Sequence, residues 1–459
     1  MRESEDGSTE ALRAFAREAV DWMLDYLTSP TDDRIFSGVA PAEIFGRFNE
    51  AIPEEGSSLG AVFQEFRREI VAGATHLQHS GNFAYIPNSA SVVGIVADLL
   101  AATLNQNVSL VRGGPSAAAV EAQTVRWLQS LIGYPAEGGG VLTSGGSLAN
   151  LMALALARER LAGGERMVFY LSEETHSSID RGLRFLGIGP DAIRRIPTDD
   201  AFRMNLGALR AAIAREGCRG VVVATAGTIG SGAVDPLEEL ADVCRRENLW
   251  LHVDGAYGAL AAAAPSASWM RAGLSRADSI SLDPHKWLFV PIDTSCLLVR
   301  DVSFMREFFT VVPDYLKVSA SEMEGDVHHP MQHTVELSRR FRALRLWMVL
   351  KTYGARAIRD RIEAHLSLAR ELASWIERAP DFELCAPVMT STVCFRYLPG
   401  SDATQERILD RLNRRPGLFL SPNRLRGRFT LRACITHLRT GENDLRRLWE
   451  ACQEEARGL

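Results

Sequence analysis

Trp250-Leu251-His252-Val253-Asp254-Gly255-Ala256-Tyr257 is a short apolar run that ends on a carboxylate and passes at once into small residues. A run of this kind, without polar alternation, fits a strand buried on both faces. Working outward, the pattern recurs. Val141-Leu142, Met167 to Leu171, Val221 to Thr225, Ser279 to Leu282 and Cys296 to Val299 are further apolar runs, and Leu206 to Arg215 and Leu237 to Glu247, at helical spacing, lie between some of them. Continuous apolar strands alternating with helices predict an α/β fold, a mostly parallel sheet covered by helices on both faces. Ligands in such sheets bind beyond the carboxyl ends of the strands, so chemistry is expected just after each run.

The 459 residues are too many for one core. We expect an N-terminal helical segment over 1–80, a large domain over 81–345 and a smaller α+β domain over 346–459. In the first, Leu12, Phe15, Ala19, Trp22, Met23, Tyr26 and Leu27 form a stripe that the helix cannot bury by itself, so it must pack on another domain or another subunit. A second amphipathic helix is expected around Leu59 to Ala74. The C-terminal part reads as long helices (Leu344 to Lys351, Ala355 to Glu377), strand-like pieces at Val393 to Tyr397 and Phe429 to Cys434, and a last helix at Glu442 to Glu455.

A formal charge of -6 argues against a nucleic-acid footprint, which needs a basic face. No apolar stretch approaches the roughly 18 residues of a membrane span, and Met1 to Glu10 are polar and acidic rather than leader-like. The cysteines (Cys218, Cys244, Cys296, Cys385, Cys394, Cys434, Cys452) contain no C-x-x-C pair. That fits reduced thiols in a cytoplasmic protein and argues against a zinc site.

Four stretches carry candidate chemistry. Thr143-Ser144-Gly145-Gly146-Ser147 follows a strand and opens a helix near Leu148, so backbone N–H groups can approach an anion. A plain strand-to-helix turn explains it equally well. It matches neither a Walker loop nor a dinucleotide fingerprint. Asp254, at a strand end, is costly to bury unless a cation meets it, and a pyridinium N–H is one such partner; a helix N-cap is the plainer reading. Ala256 is small enough to let a ring lie flat against it. In Asp278-Ser279-Ile280-Ser281-Leu282-Asp283-Pro284-His285-Lys286-Trp287, a desolvated amine beside a histidine and an aromatic is a candidate nucleophile, although a lone lysine at a strand end usually snorkels. His176, in Glu173-Glu174-Thr175-His176-Ser177-Ser178, can stack on a planar group or merely cap a helix.

In this order and on successive strands, these stretches resemble the group II pyridoxal-phosphate decarboxylases: aromatic-L-amino-acid, histidine, glutamate and diaminobutyrate decarboxylases. Asp254-Gly255-Ala256-Tyr257 and Asp283-Pro284-His285-Lys286-Trp287 carry the resemblance. Asn82-Phe83-Ala84-Tyr85-Ile86-Pro87 and Arg339-Arg340-Phe341-Arg342-Ala343-Leu344 extend it over nearly the whole chain. It implies pyridoxal-phosphate fold type I, pyridoxal 5′-phosphate (PLP) as cofactor, and a homodimer with shared active sites. The implied activity is decarboxylation of an L-amino acid, within carboxylic acid metabolism. It further implies that Lys286 carries the cofactor as a Schiff base, that Asp254 pairs with the ring nitrogen, and that His176 stacks on the ring. Gly145, Gly146, Ser147 and His285 would surround the phosphate, with Thr225 and Ala256 near the ring. Leu77, Tyr85, Ile86, Pro87 and Asn88 would face the substrate, as would His329 and, from the partner subunit, Asn107 and Ser109. Arg432, in Leu431-Arg432-Ala433, is a basic candidate near the site.

Three departures from that family bear on substrate and outcome. Leu77 and Ile86 stand where the aromatic enzymes sandwich the substrate between a tryptophan and a phenylalanine, and Asn107 and Ser109 replace apolar partner residues, with Arg112 nearby. A large aromatic substrate would lose stacking and leave polar groups unpaired, at about 1–3 kcal/mol each. The loop tyrosine that protonates the substrate carbon in the family aligns with Pro330, and no tyrosine lies between Tyr315 and Arg339. Either His328, His329 or His333 donates the proton, or slow protonation leaves the carbanion to oxygen, giving an aldehyde, ammonia and peroxide. Asp283 replaces an asparagine and is expected to turn away from the phosphate and bond backbone N–H groups. An aminotransferase or carbon–carbon lyase of the same fold type, and a catalytically silent binding protein on this scaffold, are the competing readings.

Overall fold

The computed structural model describes residues 8–28, 34–161, 167–217, 219–311 and 329–458. Its larger sheet contains β1 (Gly139–Thr143), β2 (Val168–Ser172), β3 (Ile193–Ile196), β4 (Gly220–Thr225), β5 (Trp250–Asp254), β6 (Ser279–Leu282) and β7 (Ser295–Val299), in the order β1-β7-β6-β5-β4-β2-β3. Neighbours run parallel from β3 to β6, and β7 runs antiparallel to both β6 and β1. Because β7 alone is reversed, the carboxyl ends of the other six strands share one edge. The predicted α/β fold is therefore what the chain adopts. Every residue of β2, β4, β5, β6 and β7 is buried, as continuous apolar runs require.

The apolar reading passed over β3. Its sequence, Ile193-Arg194-Arg195-Ile196, carries two arginines because it is an edge strand with one side toward solvent. Those arginines pair with Glu216 and Asp180.

A second, antiparallel sheet contains β8 (Phe382–Leu384), β9 (Thr392–Tyr397), β10 (Ser421–Leu425) and β11 (Arg428–Cys434), in the order β10-β11-β9-β8. Two hydrophobic clusters cover the larger sheet and a third covers the smaller one. The expected helices Leu344 to Lys351 and Ala355 to Glu377 form one kinked rod, Ala343–Arg378, whose break is Gly354 at φ 77. Only glycine adopts that left-handed conformation without strain. Leu346 to Leu366 of the rod pack into the large core and Ala369 to Ile376 into the small one. We propose that the two domains expected from the sequence rest on these two sheets.

The N-terminal helix, Thr9–Thr28, lays Phe15 and Trp22 against Phe63 and Phe66, with ring centroids 5.1–6.2 Å apart. Leu27 is nonetheless the one buried residue in its 20. The expected second helix runs Leu59–Glu65 and widens into a turn of π-helix at Phe66–Val71. Among the described residues, no helix is long and apolar enough to cross a membrane, and no cluster of His, Cys, Asp or Glu could hold a metal ion.

Candidate active site

The shared strand edge opens onto a cavity of about 310 Å³, at the small end of the range for ligand sites. Five of the strands deliver residues from their carboxyl ends to this space. After β1 come Gly145, Gly146 and Ser147; after β2, His176; at the ends of β4 and β5, Thr225 and Asp254, followed by Ala256; after β6, His285 and Lys286. Ile86 forms part of the wall. Register explains the convergence, because Thr225 sits opposite Asp254 and Asp254 opposite Ser281.

Asp254 is almost fully buried. Its Oδ2 accepts from Asn150 Nδ2 at 3.0 Å, and its Oδ1 accepts from the Ala256 N–H at 3.2 Å and from Ser281 Oγ at 3.3 Å. All three donors are neutral, so the carboxylate has no cationic partner among the described residues. Opposite it, the helix Gly146–Arg160 begins at Gly145 with no side chain capping its first turn. A Cβ on Gly146 would come within 3.0 Å of the Asp283 carboxylate and 3.2 Å of the Ala256 methyl, so the cradle is cut to the size of the backbone. Thr225 Oγ1 faces this space and, though buried, has no hydrogen-bond partner. An uncapped helix start, a buried carboxylate lacking a cation and an orphaned hydroxyl are the three groups that the phosphate, ring nitrogen and ring oxygen of PLP would satisfy. The residues fit the cofactor.

Lys286 lies on the short turn Pro284–Trp287, held from behind by Trp287, which stacks on Tyr257 at 5.3 Å and donates to His365 Nδ1 at 2.9 Å. The ammonium is 2.9 Å from Asp283 Oδ2. This corrects the expectation for Asp283: its buried side chain accepts from Ser295 Oγ and faces Lys286, rather than turning away to backbone N–H groups. Burial pushes His285 below its ordinary pKa, so its ring is neutral, with Nδ1 2.7 Å from the Thr294 carbonyl. His176 caps the helix Ser177–Phe185, its Nδ1 accepting from the Ser178 N–H at 3.3 Å.

The remaining candidates lie outside the cavity of their own chain. Tyr85 adopts φ 53, packs its ring on Phe419, and accepts from Arg432 Nη1 at 2.6 Å through its carbonyl. The Pro87 carbonyl accepts from Thr436, and the Asn88 amide donates to the His285 carbonyl, bracing the lysine turn. Leu77 is exposed. Asn107, Ser109 and His329 form a separate knot: Asn107 Oδ1 accepts from the Arg339 N–H at 2.9 Å, Ser109 Oγ sits between Asn107 and the Leu337 carbonyl, and His329 Nδ1 accepts from the Val111 N–H at 3.4 Å. His328 is outside the described residues. Asn150, Ser178 and Ile292 line the cavity but were not singled out from the sequence. Asn150 carried a usable signal, lying four residues after Gly146 and so on the same face of its helix.

The chain is similar to known proteins over most of its length. Residues 41–398 match the family model described as the pyridoxal-dependent decarboxylase conserved domain. An aromatic-L-amino-acid decarboxylase of Bacillus atrophaeus is 35% identical over 97% of this chain and 95% of its own. A phenylacetaldehyde synthase of Arabidopsis thaliana is 31% identical over 98% and 96%. The solved structure of TDC from Oryza sativa with PLP and tryptamine superposes with a TM-score of 0.92 at 29% identity, covering 98% of both chains. A family model that matches most of the chain, and relatives aligned over nearly all of it, show that the protein belongs to the pyridoxal-dependent amino-acid decarboxylases, carboxy-lyases that work with PLP.

Proposed function

We propose that the enzyme decarboxylates an L-amino acid whose side chain is not a large aromatic, with Lys286 as the covalent anchor of PLP. The observation that carries this is the meeting of Lys286, Asp254 and His176 with the open helix start at Gly145–Ser147 around a single cavity. Bound PLP supplies an electron sink for the bond that releases carbon dioxide. The protein's part is to hold and polarise. Asp254 would keep the ring nitrogen protonated, Ala256 and His176 would lie against the ring, and the N–H groups of the helix start with Ser147 and His285 would hold the phosphate. Arg432 is buried, with Nε and Nη2 lacking partners directly behind Tyr85. It is our candidate for drawing in the substrate carboxylate.

Asn107, Ser109 and His329 serve, on this reading, the cavity of a second subunit. The one buried residue of the N-terminal helix and the exposed Phe45, Ile52, Leu99 and Leu104 support a homodimer that covers them. In that dimer the polar Asn107 and Ser109, with Ile86 of the other chain, would disfavour an indole or catechol.

A second reading rests on the absence of a tyrosine between Tyr315 and Arg339. Here one amino acid, one O₂ and one water give the aldehyde, carbon dioxide, ammonia and hydrogen peroxide. Incubating the holoenzyme with a panel of amino acids while reading carbon dioxide, amine and peroxide separates the two. Amine equal to carbon dioxide supports decarboxylation, and peroxide equal to carbon dioxide supports the aldehyde route. Best turnover on Trp, Tyr or Dopa overturns the substrate assignment. Lys286→Ala should cut turnover to below about a thousandth and abolish the yellow band near ~420 nm; a variant that keeps both would overturn the anchor.

A further inference from the structure

Behind Asp254 runs a buried chain of polar side chains that the chemistry above does not use. Trp250 Nε1 donates to Ser279 Oγ at 3.0 Å, and Ser279 Oγ lies 2.9 Å from His252 Nδ1. His252 Nε2 lies 3.0 Å from Asn150 Oδ1, and Asn150 Nδ2 donates at 3.0 Å to both Asp254 Oδ2 and Ser178 Oγ. Ser178 Oγ in turn lies 2.9 Å from His176 Nδ1. His252, Ser279 and Asn150 are at most 1% exposed, so water does not complete any of these bonds.

The chain has a single polarity. A carboxylate only accepts, so Asn150 must turn its NH₂ toward Asp254 and its carbonyl toward His252. That carbonyl needs a donor, which places the His252 proton on Nε2. The Nδ1 lone pair then accepts the Ser279 hydroxyl, whose oxygen receives the indole N–H, a group that can only donate. Burial holds His252 at about 4, so the ring is neutral at physiological pH and cannot donate at both nitrogens. On the other branch, Ser178 spends one lone pair on Asn150 and gives its proton to His176 Nδ1, which also accepts the Ser178 backbone N–H. The His176 proton is thereby left on Nε2.

We propose that Asn150 and His252, backed by Ser279 and Trp250, are positioning residues: a one-way relay that keeps Asp254 a pure acceptor for the ring nitrogen and sets the tautomer of His176, the ring laid on the cofactor. One asparagine thus couples the two groups that would hold the ring of PLP. The inference rests on the PLP reading for its consequence, but its geometry stands without cofactor.

The test is ¹⁵N-histidine NMR of the folded enzyme at neutral pH, with His252→Gln and His176→Gln used to assign the two rings. His252 should be neutral, and each ring should carry a proton on Nε2. A protonated His252, or one carrying its proton on Nδ1, overturns the relay. Next, His252→Leu removes the donor to Asn150, while His252→Gln keeps an amide N–H there. The leucine variant should mix the His176 tautomers, move the absorbance maximum of bound PLP, and lower kcat by ~10–100-fold with little change in KM, the scale of loss seen when a histidine's outer partner is removed. Glutamine should restore most of it. A folded leucine variant with wild-type tautomer, absorbance and kcat would refute the proposal. The histidine spectrum needs neither PLP nor turnover, so its failure and that of the decarboxylase reading are separate results.

Discussion

Asp283 Oδ2 lies 2.9 Å from Lys286 Nζ, three residues along one turn, and the same carboxylate would be the first group met by a Cβ on Gly146. One acid therefore touches both the proposed anchor and the proposed phosphate cradle. It neutralises the lysine but repels a phosphate. Asp283→Asn keeps the shape and removes that charge, and it should tighten PLP binding about fivefold, or ~1 kcal/mol for one close like-charge contact in a wet site. Titration of the apoenzyme with PLP measures this, and unchanged or weaker binding would show that the ion pair with Lys286 matters more than the repulsion.

Thr225 Oγ1 is buried without a partner. An orphaned hydroxyl costs the empty protein about 1–3 kcal/mol, so Thr225→Val should leave the apoenzyme as stable or slightly more so. With the cofactor present the order should reverse, PLP binding weakening several-fold. Melting curves with and without PLP test this pair of signs. A valine variant less stable in both states would mean that the hydroxyl already has a partner of its own.

Arg339 and Glu121 form a pair with essentially no exposed surface, at 2.5 and 3.1 Å. The same guanidinium donates to the Val108 carbonyl at 2.8 Å and the Leu142 carbonyl at 2.7 Å. Arg339→Ala strands a buried carboxylate and should cost ~3–5 kcal/mol in a urea titration. Because Val108 lies between Asn107 and Ser109, the variant should also loosen that knot. The double change Arg339→Met with Glu121→Leu should recover much of the loss, and a single variant within 1 kcal/mol of wild type, on the order of an exposed pair, would contradict the burial.

Besides His285, burial holds three further histidines neutral: His252 at about 4, and His365 and His437 at about 3. Each folded value is below the ~6.5 of an unfolded histidine, so the unfolded chain binds more protons. Their contribution is complete above pH ~6.5 and is lost as the pH falls toward 4. Asp235, raised by burial to about 6, acts in the opposite sense between pH ~4 and 6. These four groups together take up about two protons on unfolding near pH 5, or roughly 2–3 kcal/mol of stability lost per unit of acidification. Urea titrations at two pH values check the slope. His365→Gln should reduce it by about one proton, and a flat profile would exclude neutral burial of these rings.

The parts legible in the sequence were those whose physics is local. A strand sandwiched between helices declares itself by its own apolar run, so β1, β2, β4, β5, β6 and β7 could each be read without knowing their neighbours, and Gly354 separated two helical patterns by itself. Asp254 and Lys286 stood out because each directly follows such a run, where this fold places its chemistry. β3 escaped because an edge strand tolerates Arg194 and Arg195.

What only the tertiary structure decided is which distant groups share a hydrogen bond. Asn150 meets Asp254 across 104 residues and His252 across 102, and Asp283 turns to Lys286 rather than to the backbone because Ser295, on the one reversed strand, arrives beside it. Apolar burial depends on a residue's own surface and leaves a periodic trace in the chain. The direction of a hydrogen bond depends on the partner, and that partner is chosen only when the strand ends come together.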